Sequence, residues 1–360
     1  MSRIYINGRF LTQQTTGVQR FAREILRAMD TLLASEGSAQ KPSIVLLTPR
    51  GTTPLAGLRA IKCRSVGRLQ GQAWEQLELP RFTGDGFSLN LCNTAPLAGR
   101  STIVAIHDAG VFAVPNAYSR PFRIWYRLLH PQLGRRAVRM LTVSEFSRAE
   151  LSCHLGIARD RFTVIPNGGE HILREPADRG ILNRLGLSRR YVLAVSSQSA
   201  HKNFAGIQAA LKHMRRQDFT LVFAGGANSR IFNAGEAPAG ESVVTGRVTD
   251  AELRALYENA ECFVYPSFYE GFGLPPLEAM TCGCPVVVSR AASLPEVCGE
   301  AAVYCDPNDP ADIGRALDEV LDSAELRSEL RRRGEERAAQ FTWNRSGTAL
   351  LGLLNGLPAQ

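Results

Sequence analysis

The sequence predicts an α/β protein built as two doubly wound domains, each with a parallel sheet. Three observations carry that expectation. The chain has 360 residues, more than one ordinary core accommodates and about right for two domains. Short apolar runs, rich in Val and Ile and separated by helix-length segments, recur in both halves, the pattern of buried parallel strands joined by right-handed crossovers. Between the halves lies NGGEHILREPADRGILNRLGLSRR, rich in Gly, Pro and charge, which reads as a connection between domains.

In chain order, a short strand pattern near the N-terminus precedes SIVLLT (43–48), STIVAIHD (101–108), RMLTVS (139–144) and FTVIPN (162–167) in the first half. YVLAVS (191–196), FTLVFAG (219–225), SVVTG (242–246), CFVYPS (262–267) and CPVVVS (284–289) follow in the second. Helix starts are marked by Ser144 and by Thr249 with Glu252 three residues on, a capping-box spacing. The segment 327–340 reads as a solvated charged helix, and FTWNRSGTALLGLLNGL as a closing helix that packs back on the first half. The expected division is 1–170, a linker over 171–190, 191–340, and the closing helix over 341–360. Ligands of such sheets bind beyond the carboxyl ends of the strands, so the loops there are the place to look for chemistry.

Composition narrows the class. The hydrophobic fraction is 44% and the charged fraction 21%, and no apolar run reaches the roughly 18 residues a spanning helix needs. With no apolar leader after Met1, a cytoplasmic protein is expected. Residues 1–175 hold 23 Lys+Arg against 12 Asp+Glu, net +11, and residues 176–360 hold 19 against 22, net −3. A basic front half suits an anionic partner such as a phosphate-bearing substrate or an acidic membrane surface; a nucleic acid is the reading that rests on charge alone. The eight cysteines show no C-x-x-C pair, and most of them are expected to be reduced core residues. Cys282-x-Cys284 with Cys298 and Cys305 is the one grouping worth weighing as a metal site, and its single-residue spacing argues against it.

The segment PSFYEGFGLPPLEAMTCGCP (266–285) carries the clearest chemistry. Gly271 and Gly273 permit a tight turn with bare amides, and Pro275 and Pro276 suit a first helical turn. Free amides at a helix start favour phosphate or sugar oxygens. Glu270 and Glu278, eight positions apart, address different parts of one ligand as acceptors for hydroxyls, unless Glu278 merely complements the helix dipole. Lys202, after the first strand of the second half, can set a point charge on a diphosphate, or stand as a surface lysine. His107 and Asp108 end a strand of the first half, where His107 can hydrogen-bond a reacting hydroxyl, or form a structural pair. Near Gly17, amides can approach a phosphate or sugar with Arg20 close by, the alternative being a plain strand-to-helix turn. A G-x-G-x-x-G fingerprint is absent, against a nicotinamide enzyme.

TGVQRF, the HD after a strand, VSEFSRAEL, VIPNGGE, AHKN, GRVTDAELRALYENAECFVYPSFYEGFGLPPLEAM, CPVVVSRAASLPEVCGEAA and the closing FTW together resemble the retaining, nucleotide-sugar-dependent glycosyltransferases of family 4. The resemblance spans nearly the whole chain and implies the GT-B fold, two Rossmann-like domains facing across a cleft. It implies Glu270 on the donor sugar, the amides of Phe272, Gly273 and Leu274 near sugar and diphosphate, and Glu278 on the ribose. It further implies Lys202 on the diphosphate, the backbone of Arg247 and Val248 on the base, His107 beside the reacting sugar and Gly17 near the reaction centre, with Arg20 and Asp108 on the acceptor side. The implied reaction needs no metal and no cofactor beyond a GDP- or UDP-linked sugar, and its partner is a lipid-linked or saccharide acceptor at an anionic membrane. Family members often carry an arginine where this chain has Ser197, with His201 as the candidate substitute. A nucleotide-sugar epimerase or a phosphorylase of the same fold are the alternative enzymes.

Overall fold

The computed structural model describes residues 3–35, 42–188, 190–196, 200–225 and 242–358. It divides into two compact units, Met1–Asn167 with Trp343–Gln360, and Gly168–Thr342.

The first unit is built on seven strands: β1 (Arg3–Asn7), β2 (Ser43–Thr48), β3 (Lys62–Ser65), β4 (Phe87–Asn90), β5 (Thr102–Ala105), β6 (Arg139–Thr142) and β7 (Phe162–Val164). All neighbours are parallel, in the order β3-β2-β1-β4-β5-β6-β7. The second unit has β8 (Tyr191–Ser196), β9 (Thr220–Gly225), β10 (Ser242–Gly246), β11 (Cys262–Tyr265), β12 (Val286–Ser289) and β13 (Ala302–Cys305), in the parallel order β10-β9-β8-β11-β12-β13. Strand order reverses once in each sheet, between β1 and β4 and between β8 and β11. Both are doubly wound sheets whose switch points are the expected ligand positions.

Three strands have no apolar run to announce them. β3 reads KCRS and is exposed throughout at a sheet edge. β4 reads FSLN, with Ser88 and Asn90 both buried and Asn90 Nδ2 donating to the Ser88 carbonyl and hydroxyl. β13, AVYC, ends the second sheet.

The segment 171–190, expected as a linker, lies within the second unit. Ile172 and Ile181 are buried in it, and the Asp178 amide bonds the Ala251 carbonyl at 3.0 Å. Its Gly, Pro and charge content belongs to a segment wrapped over the unit's surface on apolar anchors. The last helix, Trp343–Asn355, is part of the first unit. Trp343 meets Phe21 edge-on with centroids 6.0 Å apart, and Ser346 Oγ donates to the Pro166 carbonyl at 2.6 Å. Gly347 lets this helix approach the helix Gly17–Ser35: a Cβ there would lie 3.0 Å from Ala28 Cβ and 3.3 Å from the Met29 amide nitrogen. Gly347→Val is therefore expected to destabilise the first unit by about 1–3 kcal/mol through overpacking, read as an earlier midpoint in denaturant unfolding.

The two helix-start readings hold. Ser144 Oγ accepts from the Ser147 amide, and Thr249 and Glu252 form a reciprocal capping box. Helix Ala324–Ala338 is a solvated, ion-paired helix, with Arg332 bound to Glu329 and Glu336. All eight cysteines are free thiols; Cys262, Cys284, Cys298 and Cys305 are core residues, whereas Cys63 and Cys153 are exposed because they sit on the edge strand and on a solvent-side helical turn. No helix of the described residues is long and apolar enough to cross a membrane, and none of their His, Cys, Asp or Glu groups is arranged as a metal site.

Candidate active site

In the second unit, the loops after β8 and β11 flank the switch point and carry Lys202 and Glu270. Lys202 Nζ donates to both carboxylate oxygens of Glu270, at 2.6 and 2.8 Å, and to the Tyr265 hydroxyl at 2.7 Å. Both ends of this ion pair are largely buried, so the attraction is weakly screened. Two further bonds hold the loops in register. The Phe268 amide bonds the His201 carbonyl at 2.8 Å, and Asn203 Nδ2 reaches the Pro266 and Pro307 carbonyls at 3.2 and 2.7 Å. Asn203 occupies the left-handed region, φ 58°, and its Oδ1 caps the next helix at the Gly206 amide. Burial and the Glu270 charge together push the Tyr265 phenol well above its ordinary range, so it is a neutral donor or acceptor.

The turn after Glu270 matches its sequence. Gly273 takes φ +102° and precedes the helix Leu274–Thr281, with Pro275 and Pro276 in the first turn. A Cβ at Gly273 would fall 2.7 Å from the Leu294 side chain, so position and dihedral both require glycine. The Phe272 ring is buried edge-on against Phe341, leaving its backbone as the functional part. Among the described residues no protein acceptor meets the amides of Phe272, Gly273 or Leu274. These donors stand at the positive end of the helix. Ser293 Oγ donates to the Glu270 carbonyl at 3.0 Å and fixes the loop from behind.

Glu278 sits in the same helix, buried, with one oxygen 2.9 Å from His171 Nε2 and the other 3.3 Å from the Tyr257 hydroxyl. His171 comes from the segment read as linker. It reaches Glu278 because Gly169 closes on the helix: a Cβ there would lie 2.3 Å from Thr281 Oγ1 and 3.0 Å from Leu277 Cγ. Arg247 and Val248 lie between β10 and the helix Asp250–Asn259, Arg247 exposed and Val248 half-buried. Ser197 lies outside the described residues.

In the first unit, His107 follows β5 and is buried. Its Nε2 is 2.9 Å from the Leu91 carbonyl, which fixes the proton on Nε2 and leaves Nδ1 as the acceptor nitrogen. The ring stands edge-on to Phe21 at 4.8 Å. Burial lowers its pKa to about 4, so the imidazole is neutral near pH 7. The His107 amide donates to Asn93 Oδ1 at 2.8 Å, and the Asn93 carbonyl accepts from His130 Nε2 at 3.0 Å. Asp108 Oδ1 accepts from the Gly110 amide at 2.7 Å, an Asx turn that opens the loop after His107. Gly17 is exposed at the first position of the helix Gly17–Ser35, and Arg20 lies 3.7 Å from Glu24 one turn later. Just after β1 is a buried pair, Arg9 Nε to Glu75 Oε2 at 2.8 Å, with Asn7 and Thr94 donating to the same oxygen. It anchors the chain leaving β1.

The structure thus brings Lys202 and Glu270 into contact and sets Glu278 and the bare amides on the helix that follows. Tyr265, Asn203, His171, Tyr257 and Ser293 support them and were not singled out in the sequence. Each is ordinary in its local context, and only the fold gives it a partner.

The sequence pattern described as Glycosyl transferases group 1 matches residues 183–337, and that described as Glycosyltransferase Family 4 matches residues 86–170. The chain is 34% identical over 259 residues to the O-antigen chain mannosyltransferase B of Escherichia coli, covering 68% of each protein. It is 31% identical over 285 residues to the serotype-specific mannosyltransferase WbdA of Escherichia coli, covering 73% of this chain and 34% of that much longer protein. Among solved structures, Anabaena Alr3699/HepE in complex with UDP-glucose superposes with a TM-score of 0.74 at 16% identity, covering 99% of this chain and all of that one. WaaG, a glycosyltransferase involved in lipopolysaccharide biosynthesis, gives 0.70 at 16% identity, covering 98% and 100%. Two doubly wound units, the motif-bearing loops at their switch points and these likenesses lead to one conclusion: the chain belongs to the family 4 glycosyltransferases of GT-B fold, enzymes that transfer a sugar from a nucleotide-sugar donor to a saccharide acceptor.

Proposed function

We propose that this enzyme is a retaining hexosyltransferase that moves mannose from a GDP- or UDP-linked donor to a lipid-linked or oligosaccharide acceptor in surface polysaccharide or glycolipid assembly. The observation that carries the reading is the Lys202–Glu270 pair at the second switch point, set beside amides that no group among the described residues accepts from. Mannose is supported by the mannosyltransferase names of the relatives. A peripheral position at the cytoplasmic face of the membrane is supported by the basic first half.

In this reading Lys202 and the amides of Phe272, Gly273 and Leu274 stabilise the diphosphate as it leaves, without a metal. Glu270 accepts hydrogen bonds from the sugar hydroxyls, and it is not a covalent nucleophile. Glu278 holds the ribose hydroxyls, its carboxylate oriented by His171 and Tyr257. The backbone of Arg247 and Val248 borders the base. The first unit recognises the acceptor: Gly17 and Arg20 approach it from the start of their helix, Asp108 shapes the loop, and neutral His107 offers Nδ1 to a hydroxyl. The acceptor oxygen bonds the anomeric carbon on the face from which the bond to the diphosphate breaks, and the departing phosphate oxygen takes the acceptor proton; same-face attack gives retention. His201 stands in for the arginine that Ser197 replaces.

The test is a screen of UDP-, GDP- and ADP-sugars for binding, hydrolysis and transfer. GDP-mannose is expected to be consumed with retention at the anomeric carbon, and Glu270→Ala is expected to lower kcat/KM about 100-fold or more, roughly 3 kcal/mol of transition-state stabilisation. Binding of no nucleotide sugar would sink the transferase reading, and donor conversion with no dependence on acceptor would favour an epimerase. Ser197→Arg is expected to tighten diphosphate binding; unchanged affinity would assign that role elsewhere.

A further inference from the structure

The helix Arg120–Arg136 does not look like the other surface helices of the molecule. Its inner side packs Leu129, Leu133 and the buried His130 onto the first unit. Its outer side carries large apolar groups in water: Ile124, Trp125 and Leu128 are 59%, 38% and 67% exposed, and Phe122, near the helix start, is 42% exposed. Ile124 and Leu128 are one turn apart, and Leu128 lies between Ile124 and Trp125 on the wheel, so the three fall within about 100° of one another on one face. Phe122 stacks with Tyr118 at 5.4 Å and packs on Tyr126 at 4.3 Å, which holds the aromatic end in place.

The charge on this helix has one sign. Arg120, Arg123, Arg127, Arg135 and Arg136 lie along it, and no acid occurs between Asp108 and Glu145. Among the described residues none of these five guanidinium groups pairs with a carboxylate, although ion pairs are plentiful elsewhere on the surface. Arg127 and Arg136 each donate to a backbone carbonyl, which leaves their charge unneutralised. Exposed apolar groups flanked by such arginines form an amphipathic surface that suits the interface of an anionic bilayer, where the rings and Leu side chains enter the headgroup boundary and the arginines meet phosphates. A second copy of the chain is a poor occupant, because a two-fold contact would set the same positive charges against each other.

We propose that the outer face of the helix Arg120–Arg136 is the element that docks this enzyme on an anionic membrane surface, an inference that rests on the peripheral position proposed above. The helix is wired to the acceptor side of the site. His130 on its inner face bonds the Asn93 carbonyl, and Asn93 Oδ1 holds the His107 amide. A lipid-borne acceptor would then be presented by the same surface that fixes His107.

The experiment uses the full chain and vesicles of phosphatidylcholine, alone or with about a quarter phosphatidylglycerol, read by co-sedimentation and tryptophan emission. Trp74 and Trp343 are buried, so Trp125 is the reporter. Binding to the anionic vesicles with a blue shift is expected, with binding to the neutral ones at least tenfold weaker. Ile124→Glu with Leu128→Glu should lower anionic-vesicle binding about tenfold or more, and Arg120→Gln with Arg123→Gln and Arg135→Gln should do the same. Trp125→Phe should lose the blue shift while still sedimenting. Transfer to a water-soluble acceptor should stay within about twofold in every variant, which separates docking from the transferase reading and from misfolding. Vesicle binding unchanged in the charge and apolar variants, no blue shift in the unmodified chain, or a dimer that Leu128→Glu dissociates without any vesicle binding would each overturn the proposal.

Discussion

Lys202→Ala is expected to lower kcat/KM for sugar transfer by about 1,000-fold or more, the equivalent of roughly 4 kcal/mol of transition-state stabilisation. The effect has two sources. Removing the ammonium takes away the only side-chain cation that touches Glu270 among the described residues, and with it the charge proposed to stabilise the departing diphosphate. It also leaves the largely buried Glu270 carboxylate without its partner, and a buried charge stripped of its counter-ion costs about 3–5 kcal/mol or becomes protonated. A protonated Glu270 would donate where the sugar hydroxyls require an acceptor. Lys202→Arg keeps the charge and should recover part of the rate, whereas the neutral Lys202→Met should behave like alanine. Single-turnover kinetics with a saturating donor would separate lost chemistry from lost binding. A loss of less than tenfold in the alanine variant would place the leaving-group charge on another residue.

Acid should loosen the first unit through two histidines. Burial lowers both His107 and His130 to about 4, against an ordinary value near 6.5. A histidine with a depressed native pKa is more readily protonated when the chain unfolds, so stability rises with pH between the two values. It is lost as pH falls from about 6.5 toward 4. Each shift corresponds to something on the order of 3 kcal/mol, and two together approach the whole stability of a typical domain. Denaturant unfolding at pH 7, 5.5 and 4.5, followed by amide exchange in β4, β5 and β6, would read the effect. His130→Gln, which can still donate to the Asn93 carbonyl, should shift the acid midpoint downward. A midpoint unmoved in that variant would show that His130 does not carry the acid sensitivity.

The parts of this molecule that were legible in the sequence are those encoded locally. Val-rich runs gave β8, β9, β11 and β12 because a strand buried on both faces must be apolar along its whole length. The EGFGLPPLE segment was readable because a glycine-dependent turn and N1 prolines leave few conformations open. β4 was not readable, since its buried Asn90 is satisfied in part by Asn7 and the Ile103 carbonyl, bonds that exist only once the neighbouring strands are in place. His171 was hidden for a similar reason. It lies in a Gly- and Pro-rich stretch whose composition suggests a tether, and only the close approach at Gly169 shows that the stretch is packed. Lys202, by its local sequence better read as a surface lysine than as a site residue, becomes specific through Tyr265 and Glu270, 63 and 68 positions further along.

The return of Trp343–Asn355 to the first unit has a consequence for biosynthesis. On the ribosome, Gly168–Thr342 emerges as one uninterrupted stretch and has all of its own strands before synthesis reaches Trp343. The first unit begins earlier and finishes later. Until the last helix appears, the side of Gly17–Ser35 that receives Trp343 and Gly347 remains uncovered, an apolar surface of the kind chaperones bind. The half of the enzyme that is translated first is therefore the half that matures last, and a nascent chain stalled before Trp343 should carry a native second unit beside an incomplete first one.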